Sequence, residues 1–159
     1  MTSAQQLLDS YLSRIVNALP NDLQELADEL REVVRYPDVE RWALASSPES
    51  WRFLADTGLP KSCPTMIELS HEAQDLGNMV RIGTNSYGDL VCVEKATGAV
   101  VSSGHDGTGE QTQISSSPLA FLAAVCAYNK QDLAQTREAI RAIDPAAVEQ
   151  GQWWFRETA

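Results

Sequence analysis

The chain is expected to fold as an α+β domain, with helices first, a central antiparallel β-meander of about four or more strands, and helices last. Three observations predict it. Before residue 60 the apolar residues recur at helical spacing, whereas from Met79 they fall into short β-branched runs. Those runs are separated by Asn-Ser-Tyr-Gly and Lys-Ala-Thr-Gly, turns too tight for anything but antiparallel neighbours. Beyond residue 116 helical spacing returns, opened by Ser-Pro. Strands grouped between helices, rather than alternating with them, mark this class.

Taken in order, Leu8, Leu12, Ile15 and Leu19 form the stripe of a first helix, with Ser3 and Gln6 spaced as a capping box. A second helix is expected from Asn21 or Asp22, with Leu23, Ala27, Leu30 and Val34 as its stripe and Pro37 as its stop. Together residues 1–37 read as a helical hairpin packed on a single domain spanning 1–159, where it either caps the core or supports a dimer. The stretch SSPESWRFLADTGLP reads as a third helix: Ser47 caps, Pro48 takes the first turn, and Gly58 closes it before Leu59 and Pro60.

MVRIGT, DLVCVE and AVVSS are the main strands and EQTQIS is a weaker fourth. In the second run Val91 and Val93 point one way and Leu90, Cys92 and Glu94 the other. A central strand covered on both faces is the expectation. A helix then starts at Ser117-Pro118 with Leu119, Leu122, Ala123 and Cys126 on one face. Another runs through Leu133, Ile140 and Ile143, a short helical segment follows Asp144-Pro145, and Trp153, Trp154 and Phe155 are expected to dock on the core.

Composition bounds the function. Across 159 residues, 12 Lys and Arg against 22 Asp and Glu leave a net charge of −10, the wrong sign for a nucleic-acid binder and suited to a basic protein partner. Three cysteines without a Cys-x-x-Cys pair read as reduced thiols. With no signal-like N-terminal pattern and no apolar run of about 20 residues, the expectation is a cytoplasmic protein with no membrane partner.

A search for chemistry finds no catalytic set. Gly104 and Gly109 have the spacing of a phosphate loop, but Glu110 and Gln111 stand where Lys and a hydroxyl residue belong. His105, Asp106 and Glu110 make too sparse a set for a metal, so neither metal nor cofactor is expected. Cys92 and Cys126 read as core residues, while Cys63 reads as an exposed loop thiol with Lys61 nearby to lower its pKa. An unrecognised hydrolase would have to use Cys63 or the His105 loop.

RFLADTGLP, then IGTNSYGDLVCVEKATGAVV, then SSSPLAFLAAVCAY, then IDPAAVEQGQWW stand in an order that resembles the SUKH superfamily, the Smi/Knr-like proteins, and most of all its fourth, bacterial subgroup. The resemblance runs from about Val39 to the end. It implies a twisted sheet backed by helices, with no catalytic residues. It also implies an immunity protein that binds and neutralises a cognate polymorphic toxin, a nuclease or nucleic-acid deaminase with a basic cleft. The alternative it leaves is a regulatory or scaffolding module without a toxin. Tyr87, Asp89, Glu94, His105, Asp106 and Glu110 are the expected partner-binding residues. Tyr87 serves either as an exposed anchor or as a turn aromatic packed on its own hairpin. The chain is expected to be a monomer or weak homodimer.

Overall fold

The computed structural model describes residues 3–104 and 111–159. It has the α+β architecture, with helices towards both ends of the chain and a curled antiparallel sheet between them. Helix α1 (Ala4–Asn17) starts on the expected capping box. Ser3 Oγ accepts from the Gln6 N–H at 3.1 Å, and Gln6 Oε1 accepts from the Ser3 N–H at 2.8 Å. Leu8, Tyr11 and Val16 are its buried residues.

The second expected helix is broken. Asn21–Leu26 is a 3₁₀ turn with no buried residue, and α2 (Ala27–Leu30) lasts one turn. Val34, the end of the expected stripe, forms strand β1 (Val33–Val34) with Val33 instead. It pairs with β2 (Leu59–Pro60), Val34 opposite Leu59. Two β-branched residues beside a partner strand favour the extended state over a last helical turn.

The third expected helix is likewise reduced to a Pro48–Ser50 turn and α3 (Phe53–Asp56). Ser47 does not cap it: its hydroxyl donates to the Glu49 carboxylate. Gly58 ends the segment as expected, at φ +83°, and a Cβ there would lie 2.2 Å from the Val34 carbonyl oxygen. Close approach of β1 thus requires glycine as much as the turn does.

The main sheet has six strands in sequence order: β3 (Ser62–Cys63), β4 (Ile67–Asp75), β5 (Met79–Thr84), β6 (Leu90–Glu94), β7 (Val100–Ser103) and β8 (Gln111–Ser115). The last four match the sequence reading; β3 and β4 went unread. In β4 only Ile67 and Leu69 are buried, and its outer half, His71–Asp75, is polar and largely exposed. Beyond the two-residue pairing of β4 with β3, that half has no paired strand on its outer side among the described residues, and it carries almost no apolar alternation.

Strand β6 is central and covered on both faces, as expected. Val91 and Val93 join the main core, while Cys92 packs with Met79, Ala99 and Val101 on the other side. The β8 edge is closed by side chains from the C-terminal segment. Gln152 Oε1 accepts from the Gln113 N–H at 2.7 Å, and buried Asp144 accepts from the Ser116 N–H and hydroxyl, each at 2.7 Å.

Helix α4 (Pro118–Ala127) has Ser117 as its cap, accepting from the Ala120 N–H. Its fully buried face is Phe121, Leu122, Ala124 and Val125, so only Leu122 of the expected face lies at its centre. Helices α5 (Leu133–Ile143) and α6 (Trp153–Glu157) complete the chain, with Trp153 and Trp154 fully buried in the core. Among the described residues no helix is long and apolar enough to cross a membrane.

Candidate functional site

Of the six residues expected to meet a partner, the structure brings together Tyr87 and Asp89, in the turn between β5 and β6. Asn85, itself buried, organises that turn. Its Oδ1 accepts from the N–H groups of Tyr87 at 2.9 Å and Asp89 at 3.2 Å, and its amide donates to Ser102 Oγ at 2.8 Å. Glu94 lies at the far end of β6, paired with Met79 and in contact with the Thr97 hydroxyl, about 15 Å away at the rise of a strand. His105, Asp106 and Glu110 lie outside the described residues.

Tyr87 is 55% exposed. Its ring meets Trp153 of α6 edge to face, with centroids 6.1 Å apart and planes at 82°. The Arg156 guanidinium sits 5.1 Å from the Tyr87 ring and 5.0 Å from the Trp153 ring, so one cation covers both aromatics. Tyr87 Oη lies 3.5 Å from a Glu157 carboxylate oxygen. The phenol is therefore held from below and from the side, with its outer face open.

A third element reaches the same place. Glu68 pairs with Thr84, which puts the turn before β4 and the turn after β5 at one end of the sheet. In that turn Thr65 and Met66 both adopt left-handed backbone, at φ 64° and 61°, without being glycine. Such residues are uncommon and strained singly. Thr65 is tied down: its Oγ1 accepts from the Trp153 indole N–H at 3.2 Å. Met66 is the most exposed large apolar side chain among the described residues, at 73%.

The buried indole of Trp153 thus links Thr65, Tyr87 and Arg156, and Met66 and Tyr87 project from the same end of the sheet. Sequence reading missed Met66 and Arg156. No local signal marks a left-handed Thr-Met pair, and Arg156 acquires its role only when α6 packs beneath the β5–β6 turn.

The thiols give this surface no nucleophile. Cys63, read as exposed, is buried, with Sγ 3.3 Å from the Pro60 carbonyl. Burial raises its pKa, and Glu68 adds to the rise, so Lys61 does not activate it. Cys92 and Cys126 are each pushed up to about 11 by burial. His71 contacts the Glu32 carboxylate. Among the described residues no group of three or more His, Cys, Asp and Glu side chains could hold a metal ion.

Comparison of the chain with protein-family profiles, with curated proteins and with solved structures finds no match.

Proposed function

We propose that the protein works by stoichiometric binding to another protein, as an immunity protein that neutralises a cognate toxin, and that the Tyr87–Met66–Arg156 surface is its contact. The observation that carries this reading is an exposed Met on left-handed backbone and an exposed Tyr at the same end of the sheet, with a buried tryptophan bonded to Thr65 next to the Met and packed against the Tyr. Met, Tyr and Arg are the side chains enriched at protein interfaces, and rigid support beneath an aromatic reduces the ordering cost of docking. Backbone strain of this kind clusters where a side chain is presented to a ligand or partner. The toxin class comes from the SUKH resemblance, and the partner's basic character from the net charge of −10.

The test is co-expression with secreted-toxin genes adjacent to the coding gene, followed by affinity measurement of any complex. Restored growth and a co-purifying complex are expected. Met66→Asp and Tyr87→Ala should each weaken the complex at least tenfold while leaving the urea midpoint within the spread of conservative surface variants. An active neighbouring toxin that is neither bound nor neutralised sinks the function. A complex indifferent to both substitutions keeps the function and sinks the surface.

A further inference from the structure

A cavity of about 310 Å³ opens between the Arg35–Trp42 segment and strand β4. It exists because β4 bulges. Leu69 faces Gly83 and Gln74 faces Arg81, so β4 takes five steps where β5 takes two. The looped-out residues His71, Glu72 and Ala73 form one wall. Tyr36 pins the bulge: its Oη donates to the Ser70 carbonyl at 2.8 Å, with the Ile82 carbonyl 3.3 Å away. Burial raises the Tyr36 pKa, which keeps that donor protonated. Bulges of this depth favour functional positions, where they re-aim side chains.

The lining has a definite chemistry. Tyr36 and Trp42 supply buried aromatic walls, with centroids 5.4 Å apart and planes at 56°. Asp38 and Glu72 line the cavity too, and Glu32 stands just behind, against His71. Arg35 is the opposing charge, and its Nε is already engaged with the Asp56 carbonyl at 3.0 Å. Trp42 is 7% exposed.

We infer that this cavity receives the cationic tip of an arginine or lysine side chain displayed on another protein. The aromatic walls attract a cation, and the carboxylates Asp38 and Glu72 pair with it. The volume is at the small end for ligand sites and suits one side chain rather than a larger metabolite. The inference stands apart from the toxin reading, since its test uses no toxin.

The experiment follows the indole N–H resonances of ¹⁵N-labelled protein, with Trp42→Phe identifying the Trp42 signal. Titration with acetyl-Gly-Arg-Gly-amide should move that signal saturably. The citrulline analogue, which is neutral and nearly isosteric, should not. In an Asp38→Asn, Glu72→Gln double variant the affinity for the arginine peptide should fall at least fivefold, with the other indole signals unmoved as a check on folding. Equal binding of the citrulline peptide, no saturable movement, an unaffected double variant, or tighter binding of free methylguanidinium than of the peptide would each overturn the assignment.

Discussion

The two flanks of the sheet look alike in sequence and behave differently. Each carries an apolar stripe with helical spacing and several polar side chains able to cap it. The C-terminal flank, 111–159, is drawn into the fold over most of its length, with Ile143 the large apolar residue left exposed: Trp153 and Trp154 are fully buried, and Asp144, Gln152 and Arg137 fasten it with side-chain hydrogen bonds. Arg137 alone donates to Thr158 Oγ1 at 2.8 Å and to the Phe155 carbonyl at 2.7 Å, with its guanidinium 4.6 Å from the Phe155 ring.

The N-terminal flank is committed along α1 and again from Val34, which is fully buried, but not in the turn between them. Along α1, Arg14 donates to the Cys126 carbonyl at 2.8 Å, and Cys126 Sγ lies 3.2 Å from the Leu7 carbonyl. Past residue 20 the flank leaves Leu23 and Leu26 exposed. The difference teaches that a stripe becomes core where a facing surface and polar locks both exist. Spacing alone does not decide it.

The largest expected effect comes from the C-terminal flank. Trp153→Ala removes a fully buried indole and the bond to Thr65, and should cost about 3–5 kcal/mol in urea unfolding. It should also release Tyr87, seen as increased solvent quenching of tyrosine. A loss below about 1 kcal/mol would mean the C-terminal flank is no more committed than the N-terminal one.

Next comes the lock on β8. Asp144→Ala should cost about 1–3 kcal/mol, because two donors of Ser116 lose a buried carboxylate. Hydrogen exchange at the Ser116 amide should rise with it. Unchanged protection there would show that the lock is redundant.

On the other flank the effects shrink. Ser3→Ala removes one half of the capping box and should cost about 1 kcal/mol, whereas Leu23→Ser should stay within about 0.5 kcal/mol. If Leu23→Ser is the costlier of the two, the exposed turn is a contact surface, and a concentration-dependent melting temperature would reveal it.

Alkaline pH sharpens the same contrast. Tyr11 of α1, with Cys126 and Cys63, sits where that helix meets the core, and burial raises all three pKa values. The folded state therefore holds these protons more tightly than the unfolded chain, whose thiols begin to ionise near 9. Stability from these groups is intact below that value and falls as pH rises past it. The urea midpoint at pH 10 should lie below that at pH 8, with amides of α1 losing protection before those of α5. A flat midpoint across this range would show that α1 carries none of the linkage.

The α+β class, the four strands from Met79 to Ser115, both capping serines at positions 3 and 117, and the docking of the C-terminal tryptophans were legible in the residues themselves. Each rests on a local rule: a two-residue period, a turn glycine, a hydroxyl placed to meet an orphan N–H, or a large apolar surface that water disfavours. What tertiary structure alone decided is where local preferences tie. Val33 and Val34 could end a helix or begin a strand, and β2 made them a strand. Cys63 could face solvent or core, and pairing with Ile67 turned it inward. Above all, Met66, Tyr87 and Arg156 are separated along the chain by 21 and 69 positions and share no pattern. Only the packing of Trp153 against Thr65, Tyr87 and Arg156 draws their segments together, because contacts between distant segments are set by the shape of the whole core and by no rule of spacing.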